Sequence, residues 1–158
     1  MTRRLAIYLN DHLAGAVAGT ELAKRALREN RGSDFEETLE WLVGQILEDR
    51  ATLERMMDEL GVAKSRVKEI LALGLERVGR LKLNGQLTGY SPLSRLVELE
   101  GLALGVTGKL SLWENLREAA AEEPGLAGFD FEVLTARAHE QLDRLRAERL
   151  RAAHLALG

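Results

Sequence analysis

The pattern of apolar and polar residues is most regular between Trp41 and Leu60. Positions 42, 46, 49, 53, 56 and 60 read Leu, Ile, Asp, Leu, Met and Leu, and steps of three and four place them on one face of a helix. Asp49 is the one acid in this apolar stripe. Because burying an unpaired charge is costly, Asp49 must be paired, metal-bound or protonated in the folded protein.

The same periodicity, read with helix start and stop signals along the whole chain, predicts five helices. They cover about residues 4–29, 34–60, 64–81, 92–121 and 130–157. Ser33 and Glu36 form an S-x-x-E capping box at the start of the second helix. Ser91 followed by Pro92 is a strong start signal for the fourth, because proline is favoured at the first helical position.

Two of these helices carry glycines at regular intervals. Gly15 and Gly19 lie in the first helix, and Gly101, Gly105 and Gly108 lie in the fourth. Since glycine has no Cβ, it allows another backbone to approach closely. We therefore expect close helix packing, or a bend, at these positions.

The lengths of the connections indicate how the helices are arranged. The short loop before residue 34 predicts an antiparallel hairpin, whereas residues 61–91 are long enough to cross a whole bundle. A chain of 158 residues suits one domain. The prediction is thus an all-α protein with a single domain over 1–158, a ferritin-like four-helix bundle whose long crossover carries the short extra helix.

Composition and charge exclude several classes of protein. The chain has no cysteine, which excludes disulfides and thiolate metal sites. No apolar run approaches the roughly 18 residues of a membrane helix, and Asn10 and Asp11 interrupt the start of the chain before a signal peptide could form. The net charge is −3, and the basic segment 61–90 has Tyr90 as its single aromatic residue. We expect a cytoplasmic protein that binds neither membranes nor nucleic acid.

Five polar residues are predicted to lie in the same third of the bundle: His12, Asp49, Lys109, Glu114 and His139. All of them except Lys109 would form a mixed nitrogen and oxygen site for Fe, Mn or Zn. In the alternative interpretation, His12 pairs with Asp49 while the others face water. This alternative is favoured, because histidines on helix faces are more often structural than metal-binding.

Glu100 is a further metal candidate. Glu98 and Glu100 point about 200° apart on a helix, so at most one of them faces the core. Glu100 lies at the edge of the apolar stripe that contains Leu96. An ion pair with a neighbouring cation is the simpler explanation for it.

Four stretches carry a resemblance to a known family: LNDHLA at 9–14, EDR at 48–50, GRLKLNG at 79–85 and SPLSRLVELE at 91–100. On these stretches the chain resembles an uncharacterised, actinobacterial-type group of ferritin-like bundle proteins. The resemblance spans nearly the full chain. It implies a ferritin-like fold, but no activity that could be carried over to this chain.

Characterised ferritin-like proteins hold two metals with Glu-x-x-His motifs. The residues three before His12, His139 and His154 are Leu9, Ala136 and Arg151. This departure makes a standard di-iron site improbable.

The sequence favours a non-enzymatic bundle without a cofactor, acting as a structural, ligand-holding or protein-interaction module. We expect it to form a homodimer through a Leu/Ala-rich helix face. The alternative is a divergent metal-binding oxidoreductase with a His/carboxylate site inside the bundle. The chain contains no Gly-rich phosphate loop, G-x-S-x-G elbow or H-E-x-x-H motif, so three common enzyme signatures are missing.

Overall fold

The computed structural model describes residues 2–64 and 89–158, which contain four long α-helices and no β-strand. The helices are α1 (Arg3–Glu29), α2 (Glu36–Glu59), α3 (Pro92–Ala119) and α4 (Phe131–Leu157). A 3₁₀ turn at Pro124–Leu126 precedes α4. The predicted all-α class is confirmed. The helix predicted at 64–81 lies, apart from its first residue, outside the described residues.

Most helix ends follow from the local sequence. Ser91 Oγ accepts a hydrogen bond from the Ser94 N–H at 3.1 Å, and Asp130 Oδ1 accepts one from the Val133 N–H at 3.1 Å. Such bonds satisfy N–H groups that have no partner within the helix. At the end of α2, Gly61 adopts a positive φ of 64°, a conformation that favours glycine.

The start of α2 differs from the predicted capping box. Glu36 accepts a hydrogen bond from the Gly32 N–H at 2.7 Å, and the Ser33 hydroxyl donates to the Asn30 carbonyl at 2.7 Å. These two contacts hold a turn between the helices. As a result α2 begins at Glu36, two residues later than predicted, with Phe35 as an N-cap that makes no side-chain bond.

Contacts between the helices fix their relative directions. α1 packs against α2 and α3, and α4 packs against α3 and, less closely, α2. The Asn115 amide donates to the Tyr8 hydroxyl at 2.9 Å, while Arg25 lies 3.0 Å from Glu98, so α1 and α3 are antiparallel. α2 and α4 are also antiparallel. The hydroxyl of Thr38 near the start of α2 donates to Glu148, whereas Asp49 further along α2 accepts from Gln141, which lies nearer the start of α4.

The core lies along the centre of the bundle and is mainly aliphatic. Trp113 is its largest buried side chain, at 1% exposure. Burying one such apolar side chain stabilises the fold by roughly 1.5–3 kcal/mol. Other side chains that are essentially inaccessible to water are Leu9, Leu13, Leu39, Leu42, Leu53, Met56, Met57, Leu99, Leu112, Leu116 and Leu126.

Candidate functional site

A cavity of about 440 Å³ lies between α1, α2 and α3. Its apolar walls come from α2 and α3 and consist of Ile46, Leu53, Leu102, Val106, Leu112 and Trp113. Exposed lining residues, among them Gly15 and Gly105, mark the side on which the cavity meets solvent. Its volume lies within the range of small-molecule sites, roughly 300–1,000 Å³.

The regularly spaced glycines line this cavity, and that corrects the expectation of close helix packing. A Cβ built on Gly15, Gly19, Gly105 or Gly108 would meet no described atom within 4 Å. Gly101 alone fits the expectation, since its Cβ would lie 3.2 Å from Leu22 Cδ2. The missing side chains therefore leave open space between α1 and α3.

A buried charged cluster forms the polar part of the cavity wall. Asp49 is 2% exposed, and its Oδ2 accepts hydrogen bonds from the Lys109 ammonium and from Gln141 Nε2, the latter at 2.8 Å. Lys109 also donates to Gln141 Oε1. Asp49 and Lys109 both line the cavity, so its otherwise mainly apolar wall contains an ion pair.

Arg137 contacts the other oxygen of Asp49. Its Nε lies 2.9 Å from Oδ1, but the N–H is not aimed along a hydrogen bond, so the contact is an ion pair. Arg137 also pairs with Glu48, whose side chain is 60% exposed. The buried carboxylate is therefore shared by two cations, Lys109 and Arg137. This pairing fulfils the requirement that Asp49 not be buried alone.

Burial shifts the pKa of two groups in the cavity wall. It lowers the pKa of Lys109, an effect that the nearby Asp49 charge opposes. It also lowers the pKa of His12, against a smaller opposing effect of Asp11. His12 packs edge-on against the Tyr8 ring, with the ring centroids 4.5 Å apart.

The predicted metal candidates do not come together in the described part of the chain. Asp49 and His12 both line the cavity, but Glu100, Glu114 and His139 are exposed. Within residues 2–64 and 89–158, no group of three His, Asp or Glu side chains is placed to hold a metal ion.

Three side chains that bind Asp49 were missed as its partners: Lys109, Arg137 and Gln141. For Lys109, the signal in the sequence was a second charge on an apolar stripe. Leu102, Val106, Lys109 and Trp113 are spaced by four, three and four residues and so share one face of α3. Lys109 is the charged residue in this apolar stripe, as Asp49 is in the stripe of α2. Two opposite charges at core positions of neighbouring segments predict a buried pair.

Of Glu98 and Glu100 in α3, Glu98 is the buried one, at 2% exposure, and Glu100 is exposed. Glu98 accepts a hydrogen bond from the Tyr90 hydroxyl at 2.8 Å and pairs with Arg25. Asn30 in turn donates to the Tyr90 oxygen at 2.8 Å. Burial raises the pKa of Glu98, while Tyr90 and Arg25 oppose that shift. This network ties the start of α3 to the end of α1.

Comparison with protein-family models, with curated proteins and with solved structures gave no significant match. In the described part of the chain, no helix is both long and apolar enough to cross a membrane.

Proposed function

We propose that the protein is a non-enzymatic helical bundle that holds a small, largely apolar molecule in the cavity between α1, α2 and α3. The observation that carries this proposal is the cavity itself, about 440 Å³ of space with apolar walls. Packed protein interiors leave few voids larger than a water molecule. A void of this size opening to solvent is a feature of binding sites rather than of a purely structural bundle.

The glycines support the same interpretation. Glycine in a helix interior is destabilising by roughly 0.5–1 kcal/mol relative to alanine. Gly15, Gly19, Gly105 and Gly108 carry this cost without allowing another described group to approach. If these glycines leave space for a ligand, their presence in the helices is explained despite this loss of stability.

We also propose the ferritin-like arrangement with one long crossover for the chain as a whole. Two contacts support it. The Asn10 amide donates to the Ala63 carbonyl at 3.1 Å near the start of α1, whereas Tyr90 contacts Asn30 beyond the end of α1. The segment between residues 64 and 89 would then connect opposite ends of the bundle.

The test of ligand binding is titration with a neutral apolar probe, decan-1-ol, followed by calorimetry and thermal unfolding. We expect saturable binding near one molecule per chain and a rise in Tm, because a ligand that binds the native state alone stabilises it. Gly105→Leu fills the cavity and should abolish both effects.

Gly44→Leu is the matched control, since Gly44 is also an exposed helical glycine with open space around it but does not line the cavity. This variant should bind decan-1-ol as the wild type does. Absence of saturable binding to the wild type, or equal loss in both variants, would refute the proposal.

A further inference from the structure

Two buried atoms of the cavity lining have no hydrogen-bond partner among the described residues: Asp49 Oδ1 and Trp113 Nε1. Asp49 Oδ1 already has Arg137 as an ion-pair partner, with Nε at 2.9 Å. Trp113 Nε1 has essentially no accessible surface, so a molecule in the cavity would contact the indole ring rather than its N–H. A hydrogen-bond donor for a ligand must therefore come from another side chain of the lining.

Lys109 offers such a donor. Its ammonium carries three N–H groups, of which Asp49 and Gln141 accept two. The third has no acceptor among the residues that the structure describes. Lys109 lines the cavity, and its side chain is 16% exposed. An acceptor on a molecule in the cavity would satisfy this third N–H.

The charges around Lys109 indicate which kind of acceptor group a ligand would bring to it. Asp49 is the buried carboxylate, and it is shared by the cations Lys109 and Arg137. The remaining acid of the cluster, Glu48, is mostly exposed, so solvent weakens its contribution. Of the other charged lining residues, Arg50 pairs with Glu54, and Asp11 is exposed beside His12. The buried part of the cluster therefore has an excess of positive charge.

We propose that the ligand is a monocarboxylate with an apolar tail, and that its carboxylate accepts a hydrogen bond from Lys109 Nζ. The tail lies against Ile46, Leu53, Leu102 and Val106. This inference rests on the proposed ligand-holding function and specifies the chemical class of the ligand. The burial that lowers the pKa of Lys109 agrees with it, because a second anion would stabilise the charged ammonium.

The test compares three probes of equal chain length at pH 7.5, each below its micelle concentration: decanoate, decan-1-ol and decylammonium. Binding to the full chain is measured by isothermal titration calorimetry. We expect decanoate to bind about tenfold more tightly than decan-1-ol, since charge-assisted hydrogen bonds are stronger than neutral ones. Decylammonium should bind most weakly.

Lys109→Met should remove the preference for decanoate over decan-1-ol while the variant still binds the alcohol. Lys24→Met, at an exposed lysine of α1 outside the cavity, should keep the preference. Lys109→Gln serves if Lys109→Met does not fold, because its amide can still donate a hydrogen bond to Asp49 but carries no charge. It should reduce the affinity for decanoate more than that for decan-1-ol.

The outcomes separate the two proposals. Equal affinities of the wild type for decanoate and decan-1-ol would overturn the carboxylate inference and leave the ligand-holding function standing. A preference for decanoate that survives Lys109→Met or Lys109→Gln would also overturn it. If neither probe binds to the wild type, both proposals fail.

Discussion

Asp49 neutralises two buried cations, so its replacement affects several contacts at once. Asp49→Leu leaves Lys109 and Arg137 without their buried counter-charge. Breaking a buried pair in this way typically costs about 3–5 kcal/mol. We expect a loss of that order in the free energy of unfolding, measured by urea denaturation.

Glu140→Ala is the control for Asp49→Leu, because Glu140 forms an exposed pair with Arg144. Its effect should be about 0.5 kcal/mol or less, since exposed pairs are screened by solvent. If Asp49→Leu left the free energy of unfolding nearly unchanged, the result would contradict the observed pairing with Lys109 and Arg137. It would instead agree with Asp49 bound only to an uncharged His12.

Alanine substitutions of Gly105 and Gly101 test whether each glycine borders open space or allows a close contact. Gly105→Ala adds a methyl group to open space and improves helix propensity, so the free energy of unfolding should rise by about 1 kcal/mol. Gly101→Ala should gain less, because its Cβ would press on Leu22 Cδ2 at 3.2 Å. Urea denaturation of both variants measures the difference. Equal gains, or a loss at Gly105, would show that Gly105 packs closely.

At the scale of helices, the start of α3 depends on Tyr90 as well as on its own cap. Tyr90→Phe removes the hydrogen bond to the buried Glu98 and the acceptor of the Asn30 amide. Hydrogen bonds to charged groups contribute about 1.5–3 kcal/mol, so we expect a loss in that range. Hydrogen exchange of the first turn of α3 should accelerate, with the middle of α4 as internal reference. Unchanged exchange there would mean that the Ser91 cap holds α3 alone.

The helices themselves were predictable because periodicity and end signals are local. Ser91–Pro92 and Asp130 mark their helix starts within a few residues of sequence, and the structure confirms both. The predicted start of α2 was two residues too early, because Glu36 accepts a hydrogen bond from the N–H of Gly32 rather than from that of Ser33. The same residues can form either the capping box or this turn. Local sequence does not decide between them.

The site was less predictable because it depends on which residues of different helices meet. Periodicity identified Asp49 as buried but could not select Lys109, Arg137 and Gln141 over His12 as its partners. The glycine spacing was visible, yet it is compatible with both close packing and a cavity. Tertiary structure distinguishes the two, because only the positions of neighbouring side chains show whether the space is filled.

For the whole molecule, the proposed crossover arrangement predicts a long distance between residues 64 and 89. Their neighbours contact Asn10 and Asn30, which are separated by twenty residues of α1, or about 30 Å. Because the chain has no cysteine, Lys64→Cys and Pro92→Cys, the latter at an exposed position three residues after Gly89, allow selective spin labelling. Pulsed electron paramagnetic resonance should give a distance near 30 Å. A distance below about 20 Å would contradict this arrangement.

The claim that the cavity holds a ligand is tested most directly by contact quenching of Trp113. The chain has two tryptophans, and Trp41 lies outside the cavity under the guanidinium of Arg144. In Trp41→Phe, titration with 10-bromodecan-1-ol should quench the fluorescence of Trp113 saturably, because bromine quenches on contact. Trp113→Phe, which leaves Trp41 as the emitter, should show little quenching. Equal quenching of both tryptophans, or none of Trp113, would contradict the account.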